Sequence, residues 1–278
     1  LTIAEAKSIS ARIGLSPSRA KGQNFLVDQN IIDRIIKSAD LGKAETVLEV
    51  GPGFGVLTRE LVKEAGQVVA VELDKKLFDF LQKELGQNKN LKLLNADILK
   101  NDPGAMGLSA FGYRVVANLP YNITSFFLRR FLESPTKPRE MMLMVQKEVA
   151  QRLMAKPGKN NLLSLSVQFY GESQILFEVK KESFWPEPQV DSAVIKIKLK
   201  KDLPEIDAKY FFRVLRVGFS AKRKQLQNNL AAGFCLKNSK IREILAAIGL
   251  EEKIRAQELA LDKWLNLANQ LKDQILLK

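Results

Sequence analysis

The sequence predicts an α/β domain, built on a seven-stranded, mostly parallel sheet covered by helices, with a small all-α domain behind it. Three observations predict it. Apolar, β-rich runs alternate with amphipathic helical patterns through the first two-thirds of the chain. The last two strand-like runs have no helix between them, and after Lys201 no strand signal remains.

The first five runs are Thr46–Val50, Val68–Val71, Leu91–Leu94, Tyr113–Ala117 and Met141–Val145. They are short and almost wholly apolar, as strands buried on both faces are. Between them, Ile31, Ile32, Ile35, Ile36 and Ala39 share one helical face behind a capping Asp28. Leu77, Phe78, Leu81 and Leu85 form a second such face, with Gly86 where a C-terminal cap belongs. Gln174–Lys180 and Ser192–Leu199 then read as an antiparallel pair ending the sheet. Along the second, Ala193, Ile195, Ile197 and Leu199 alternate with Val194, Lys196, Lys198 and Lys200. Asp202-Leu203-Pro204 reads as a linker, so the expected domains are residues 1–201 and 202–278. Helices are expected over Tyr210–Gly218, Lys222–Ala232, Ser239–Ile248 and through Trp264 to Leu271.

Composition removes several chemistries. The 278 residues include no histidine and one cysteine. That excludes a Ser-His-Asp or Cys-His dyad, a histidine proton shuttle and a zinc site of the usual Cys/His kind, so no metal is expected. A single Cys235 forms no internal disulfide and suits a reducing compartment, here taken as the cytoplasm. No apolar run approaches the roughly 20 residues that span a bilayer. With 44 Lys+Arg against 31 Asp+Glu, the net charge of +13 points to an acidic partner, nucleic acid first. A lysine-rich proteome would give the same charge without that meaning.

Val47-Leu48-Glu49-Val50 runs directly into Gly51-Pro52-Gly53-Phe54-Gly55 and then a helical pattern from Val56. Glycines at Gly51, Gly53 and Gly55 let the backbone turn sharply and approach a ligand. A dinucleotide loop would carry a third glycine where this chain has Val56. The next strand ends in Glu72, placed to hold a ribose diol, and the third ends in Asn95-Ala96-Asp97. Ligands of open α/β sheets sit outside the carboxyl ends of the strands. Glu72 alone marks a nucleoside of either class; taken together the three strand ends favour S-adenosyl-L-methionine over NAD.

The fourth strand leads into Asn118-Leu119-Pro120-Tyr121. A tetrapeptide of this kind at this place marks methyltransferases acting on the exocyclic amino groups of bases. Adenine's amino lone pair is delocalised into the ring and is a poor nucleophile. Acceptors from the Asn118 side chain and the Leu119 backbone would bind its two N–H groups and localise that lone pair. Tyr121 offers a stacking face for a base taken out of its helix, and Pro120 fixes the turn. Methyl transfer from an activated donor needs alignment more than acid–base power, which a chain without histidine can supply. A plain turn with Tyr121 as a core aromatic is the competing account.

With these residues in place, the chain resembles the small-subunit (16S) ribosomal RNA adenine dimethyltransferase family over nearly its full length. The matching motifs are Gly22–Leu26, Glu49–Gly55 with Leu57-Thr58, Glu72-Leu73-Asp74, Asn118–Asn122, Gln146–Leu153, Phe184-Trp185-Pro186-Glu187-Pro188 with Val190–Val194, and Phe219 with Lys222-Arg223-Lys224 and Leu230. The resemblance implies a class I S-adenosylmethionine-dependent methyltransferase, Rossmann-like with its last strand antiparallel, acting as a monomer. It implies that two adjacent adenosines near the 3′ end of 16S rRNA are each methylated twice at the 6-amino group, during ribosome biogenesis. By the same resemblance Asn24, Leu26, Gly51, Glu72, Asp97 and Asn118 line the cofactor site. Phe184 would be a second aromatic, stacking on the base opposite Tyr121, with a role in core packing as the alternative.

Between Arg213 and Lys224 lie Arg213, Arg216, Lys222, Arg223 and Lys224 with no acid among them. Such a block is expected to bind RNA phosphates, whereas scattered lysines such as Lys237 and Lys240 read as a solvated helix face. Two rivals stay open: a large-subunit RNA adenine methyltransferase of the antibiotic-resistance type, and a non-catalytic RNA-binding factor that keeps the fold.

Overall fold

A computed structural model describes residues 1–17 and 22–276. In chain order the regular elements begin with α1 (Ile3–Arg12), β1 (Phe25–Leu26), α2 (Gln29–Ala39), β2 (Thr46–Val50), α3 (Val56–Glu64), β3 (Gln67–Glu72), α4 (Lys75–Leu85) and β4 (Leu91–Asn95). There follow β5 (Tyr113–Asn118), α5 (Thr124–Glu133), β6 (Glu140–Gln146), α6 (Lys147–Leu153), α7 (Leu162–Tyr170), β7 (Gly171–Val179), β8 (Phe184–Trp185) and β9 (Ser192–Leu199). The helices α8 (Ala208–Gly218), α9 (Leu226–Phe234), α10 (Asn238–Ala247) and α11 (Leu261–Leu276) complete the chain.

The chain packs as two compact units, one of Leu1–Ala150 with Glu172–Leu199, the other of Gln151–Gly171 with Lys200–Lys278. The division expected after Lys201 falls after Leu199 here, and residues 151–171 group with the C-terminal helices. Local bonding accounts for it. Gly158 and Asn160 donate their backbone N–H groups to the Gln257 carbonyl, and the Asn160 side chain donates to that of Leu259. Phe169 stacks on Phe211 at 5.0 Å and Tyr170 on Phe212 at 5.6 Å, so α7 and α8 share one aromatic core.

The first unit holds a seven-stranded sheet in the order β4-β3-β2-β5-β6-β9-β7. From β4 to β6 every pair is parallel, and β9 runs antiparallel to β6. The mixed sheet is thus as expected, with β9, last in the chain, lying between β6 and the edge strand β7. Its central strands are buried nearly end to end, which is why they read as continuous apolar runs. The helical faces follow the pattern too. The Asp28 side chain caps α2 by accepting from the Asn30 N–H, and Ile31, Ile32, Ile35 and Ala39 are buried. Each of these buried isoleucines contributes roughly 1.5–3 kcal/mol. In α4 the buried face is Leu77, Phe80, Leu81 and Leu85, with Phe78 turned partly out, and Gly86 ends the helix in a right-handed conformation.

One pairing has no periodic signal in the sequence: a two-stranded antiparallel ladder, Phe25 opposite Trp185 and Leu26 opposite Phe184. It ties the segment before α2 to the Pro-rich loop before β9.

In the second unit, α8 buries Phe211, Phe212, Val214 and Leu215. The helix expected from Lys222 starts instead at Leu226. Buried Asn229 explains the delay: its amide donates to the carbonyls of Gly218 and Ala221, at 2.6 and 3.1 Å, and holds the chain between α8 and α9 as a turn.

Candidate active site

The carboxyl ends of β2, β3 and β5 converge on a narrow cavity of about 70 Å³, at the sheet edge where open α/β folds bind ligands. Its walls include Asn24 and Leu26 from the first segment, Gly51 and Gly53 from the loop after β2, Glu72 at the end of β3, and Asn118–Tyr121 after β5. Most of the residues singled out in the sequence are therefore brought together.

The loop after β2 has the shape its glycines allow. Gly51, Gly53 and Gly55 all have positive φ, at 67°, 59° and 74°. At Gly53 there is no room for more than hydrogen: a Cβ would lie 2.8 Å from the Phe25 ring. That close approach aims the Gly53 N–H at the Glu72 carboxylate, 3.1 Å away, while the Asp74 N–H donates to its other oxygen at 2.9 Å. Glu72 is buried, and burial raises its pKa; the two backbone donors pull the other way. A carboxylate fixed at both oxygens retains lone pairs for hydroxyl donors, as a ribose diol would be.

Asn118 ends β5, opposite Met144 of β6. Its Nδ2 donates to the Asn24 carbonyl at 3.3 Å. The amide's donor end is thereby committed, and Oδ1 is left as the acceptor. The Leu119 N–H is taken by the Met144 carbonyl, and the Ile123 N–H closes the turn on the Pro120 carbonyl. Gly22, with φ of 65°, packs so close to this turn that a Cβ would meet Asn122 Oδ1 at 2.9 Å and Tyr121 N at 3.2 Å. Tyr121 is half-buried, and its hydroxyl lies 2.6 Å from Ser192 Oγ.

Three expected residues stand elsewhere. Gly55 and Asp97 do not line the cavity. Asp97 follows β4 on the same sheet edge, with Oδ1 accepting from the Leu99 N–H and the side chain 29% exposed. Phe184 is 2% exposed and packs with Leu26, Val116, Met144 and Val194 in the sheet core. Its pairing with Leu26 and its burial place the ring in the sheet core.

The sequence spacing assigns Glu49 no role, yet it is the most unusual group in the cavity wall. It is 2% exposed, and its Oε2 has no hydrogen-bond partner. The available signal was an acid inside a strand buried on both faces. Burial above all, with the neighbouring Glu72 charge adding to it, pushes its pKa from 4.5 up to about 8; the Thr58 hydroxyl opposes the shift. The unfolded chain ionises Glu49 near 4.5 and the folded chain near 8, so between those values the folded state holds the extra proton. Raising the pH through this window therefore lowers stability. Replacing Glu49 by Gln removes the effect. The melting temperature of Glu49→Gln relative to the parent is expected to rise between pH 5 and pH 8.5; an unchanged difference would contradict the assignment.

The cavity lies at the carboxyl ends of the strands, beside a turn that carries amide and carbonyl acceptors. Residues 17–273 match the model of the family described as ribosomal RNA adenine dimethylase. The chain belongs to that family. It is accordingly an rRNA adenine dimethyltransferase, as the motifs implied. Among its relatives, the ribosomal RNA small subunit methyltransferase A of Dehalococcoides mccartyi is 42% identical over 270 residues, covering 95% of this chain and 92% of the relative. That of Moorella thermoacetica is 39% identical over 271 residues, 93% of each chain. Among solved structures, the 23S rRNA methyltransferase ErmE is 27% identical with a TM-score of 0.71, covering 90% of this chain and all of that one. A dimethyladenosine transferase from Plasmodium falciparum has a TM-score of 0.77 at 24% identity, covering 90% and 98%, and shares the fold. Among the described residues, no cluster of potential metal ligands occurs and no helix is long and apolar enough to cross a membrane.

Proposed function

We propose that this family member dimethylates the 6-amino groups of two adjacent adenosines near the 3′ end of 16S rRNA, using S-adenosyl-L-methionine. The observation that carries the reading is the Asn118 amide, its nitrogen committed to Asn24 and its oxygen free beside Tyr121. The small-subunit assignment rests on relatives of that name at 42% and 39% identity, against 27% for the large-subunit enzyme.

The cavity fits the cofactor's chemistry. Glu72 is oriented for a ribose diol, Asn24, Leu26, Gly51 and Gly53 form the wall around it, and Asp97 offers a further anchor at the edge. The unpartnered Glu49 Oε2 leaves a buried polar atom in the wall for a ligand to satisfy. When bound, S-adenosylmethionine supplies an activated methyl group on a sulfonium. The protein's part is positioning. Asn118 Oδ1 and the Leu119 carbonyl accept from the adenine 6-amino group and turn its lone pair toward the donor. The Tyr121 ring stacks on the base, and Pro120 holds the turn that carries both.

The substrate is 16S rRNA within the small subunit or its precursor, met by a monomeric, cytoplasmic enzyme. Arg213, Arg216, Lys222, Arg223 and Lys224 are all exposed, on α8 and the turn that Asn229 holds. Replacing Lys222, Arg223 and Lys224 by Ala is expected to weaken RNA binding and to flatten its salt dependence by up to about 2–3 in the log–log slope. Filter binding across a salt series checks this; an unchanged slope would remove these residues from the interface. The function itself is tested by incubating the protein with labelled S-adenosylmethionine and separated ribosomal subunits lacking the modification. Label in the small-subunit RNA supports the reading, and label confined to large-subunit RNA rejects it.

A further inference from the structure

The Val190-Asp191-Ser192 segment lies outside the cavity wall, yet it reaches the proposed base-stacking residue. Ser192 is fully buried, and its Oγ lies 2.6 Å from the Tyr121 hydroxyl. The two residues are 71 positions apart, so the bond is built by the fold and not by local chain geometry. Ser192 itself is pinned. It opens β9 opposite Gln146 of β6, in the register that continues through Val194 opposite Met144, the residue that also pairs with Asn118. Before it, the Asp191 carbonyl accepts from the Lys147 N–H, and the Asp191 carboxylate accepts from Lys180 Nζ at 2.9 Å and from the Lys181 N–H at 3.1 Å. Tyr121, by contrast, sits on a short turn after β5 and would otherwise be free to swing about its side-chain torsions.

We infer that Ser192 is a positioning residue for methyl transfer: it fixes the tip of Tyr121 so that the ring stands ready to stack on the target base. The inference rests on the proposed role of Tyr121. A flat ring anchored at its far end keeps one orientation before substrate arrives, and the adenine loses less freedom on docking against it. The bond joins two otherwise separate motifs, Asn-Leu-Pro-Tyr and Val-Asp-Ser, into one device.

The test is a cycle of Ser192→Ala, Tyr121→Phe and the double variant, with Ser192→Thr as the rescue. Loss of one well-formed bond is expected to lower kcat about 5- to 30-fold in each single variant. The KM for RNA should move less than about twofold, and the double variant should be no slower than the slower single one. Ser192→Thr keeps a hydroxyl and should recover most of the rate. RNA with 2-aminopurine at the target position reports stacking directly: its quenching by the protein should weaken in Ser192→Ala. Tyr121→Phe removes the same bond without touching the buried serine, so the test survives if Ser192→Ala folds poorly. A Ser192→Ala or Tyr121→Phe enzyme with the parental kcat, multiplying losses in the double variant, or unchanged quenching would overturn the inference. An inactive parent in the same assay would instead overturn the functional reading on which it rests.

Discussion

Replacing Asn118 by Ala is expected to lower turnover by about 100-fold or more, the scale seen when one preorganised polar group that steers a reacting centre is removed. The fold should survive it. The side chain makes a single bond of 3.3 Å to the Asn24 carbonyl at a half-buried position, which contributes roughly 0.5–1.5 kcal/mol. The strand before it is held by its pairing with β6, from Arg114 opposite Glu140 to Asn118 opposite Met144. Asn118→Asp separates the two functions of the amide. It keeps an acceptor for the 6-amino group but sets a carboxylate oxygen against the Asn24 carbonyl, and should fall between parent and Ala variant. Single-turnover methylation measured beside thermal unfolding checks both halves. Parental turnover in Asn118→Ala would remove the amide from the mechanism.

The second large effect is expected at Glu72. Glu72→Gln preserves shape but not acceptor count. Its oxygens now take the Gly53 and Asp74 N–H groups at 3.1 and 2.9 Å. A glutamine must turn its NH2 toward one of them, leaving a buried donor unpaired and a donor where the ribose acceptor is needed. A buried unpaired donor costs about 1–3 kcal/mol, so cofactor affinity should fall roughly 10- to 100-fold. Because the Gly53 loop is the part disturbed, the fall should appear in binding of S-adenosylmethionine by calorimetry even without RNA. Unchanged affinity would show that Glu72 shapes the loop without touching the ligand.

The parallel sheet was legible because strands buried on both faces leave continuous apolar runs; Thr46–Val50 was bounded to the residue. The glycine loop, Glu72 and Asn118–Tyr121 were legible for a related reason. Each stands immediately after such a run, where an open α/β sheet presents its ligand site. What escaped depended on tertiary placement. The two-residue ladder of Phe25–Leu26 with Phe184–Trp185 is too short to show a period, and it is what draws Phe184 into the core. The helix α7 reads simply as an apolar stretch, and its membership of the C-terminal unit follows from aromatic partners some 40 residues away. Glu49 stood in plain view within a strand, but its exceptional character arises from burial without a partner. Ser192 likewise gains its meaning only when the fold brings Tyr121 to it.

In the proposed reaction one cavity wall, holding Glu72 and the Asn118–Tyr121 turn, serves successive methylations of two neighbouring adenosines. The direct measurement is mass-spectrometric mapping of small-subunit RNA from particles lacking the modification, after reaction with the protein and S-adenosylmethionine. N6,N6-dimethyladenosine is expected at two adjacent positions near the 3′ end. Methylation elsewhere, or at a base other than adenine, would contradict it.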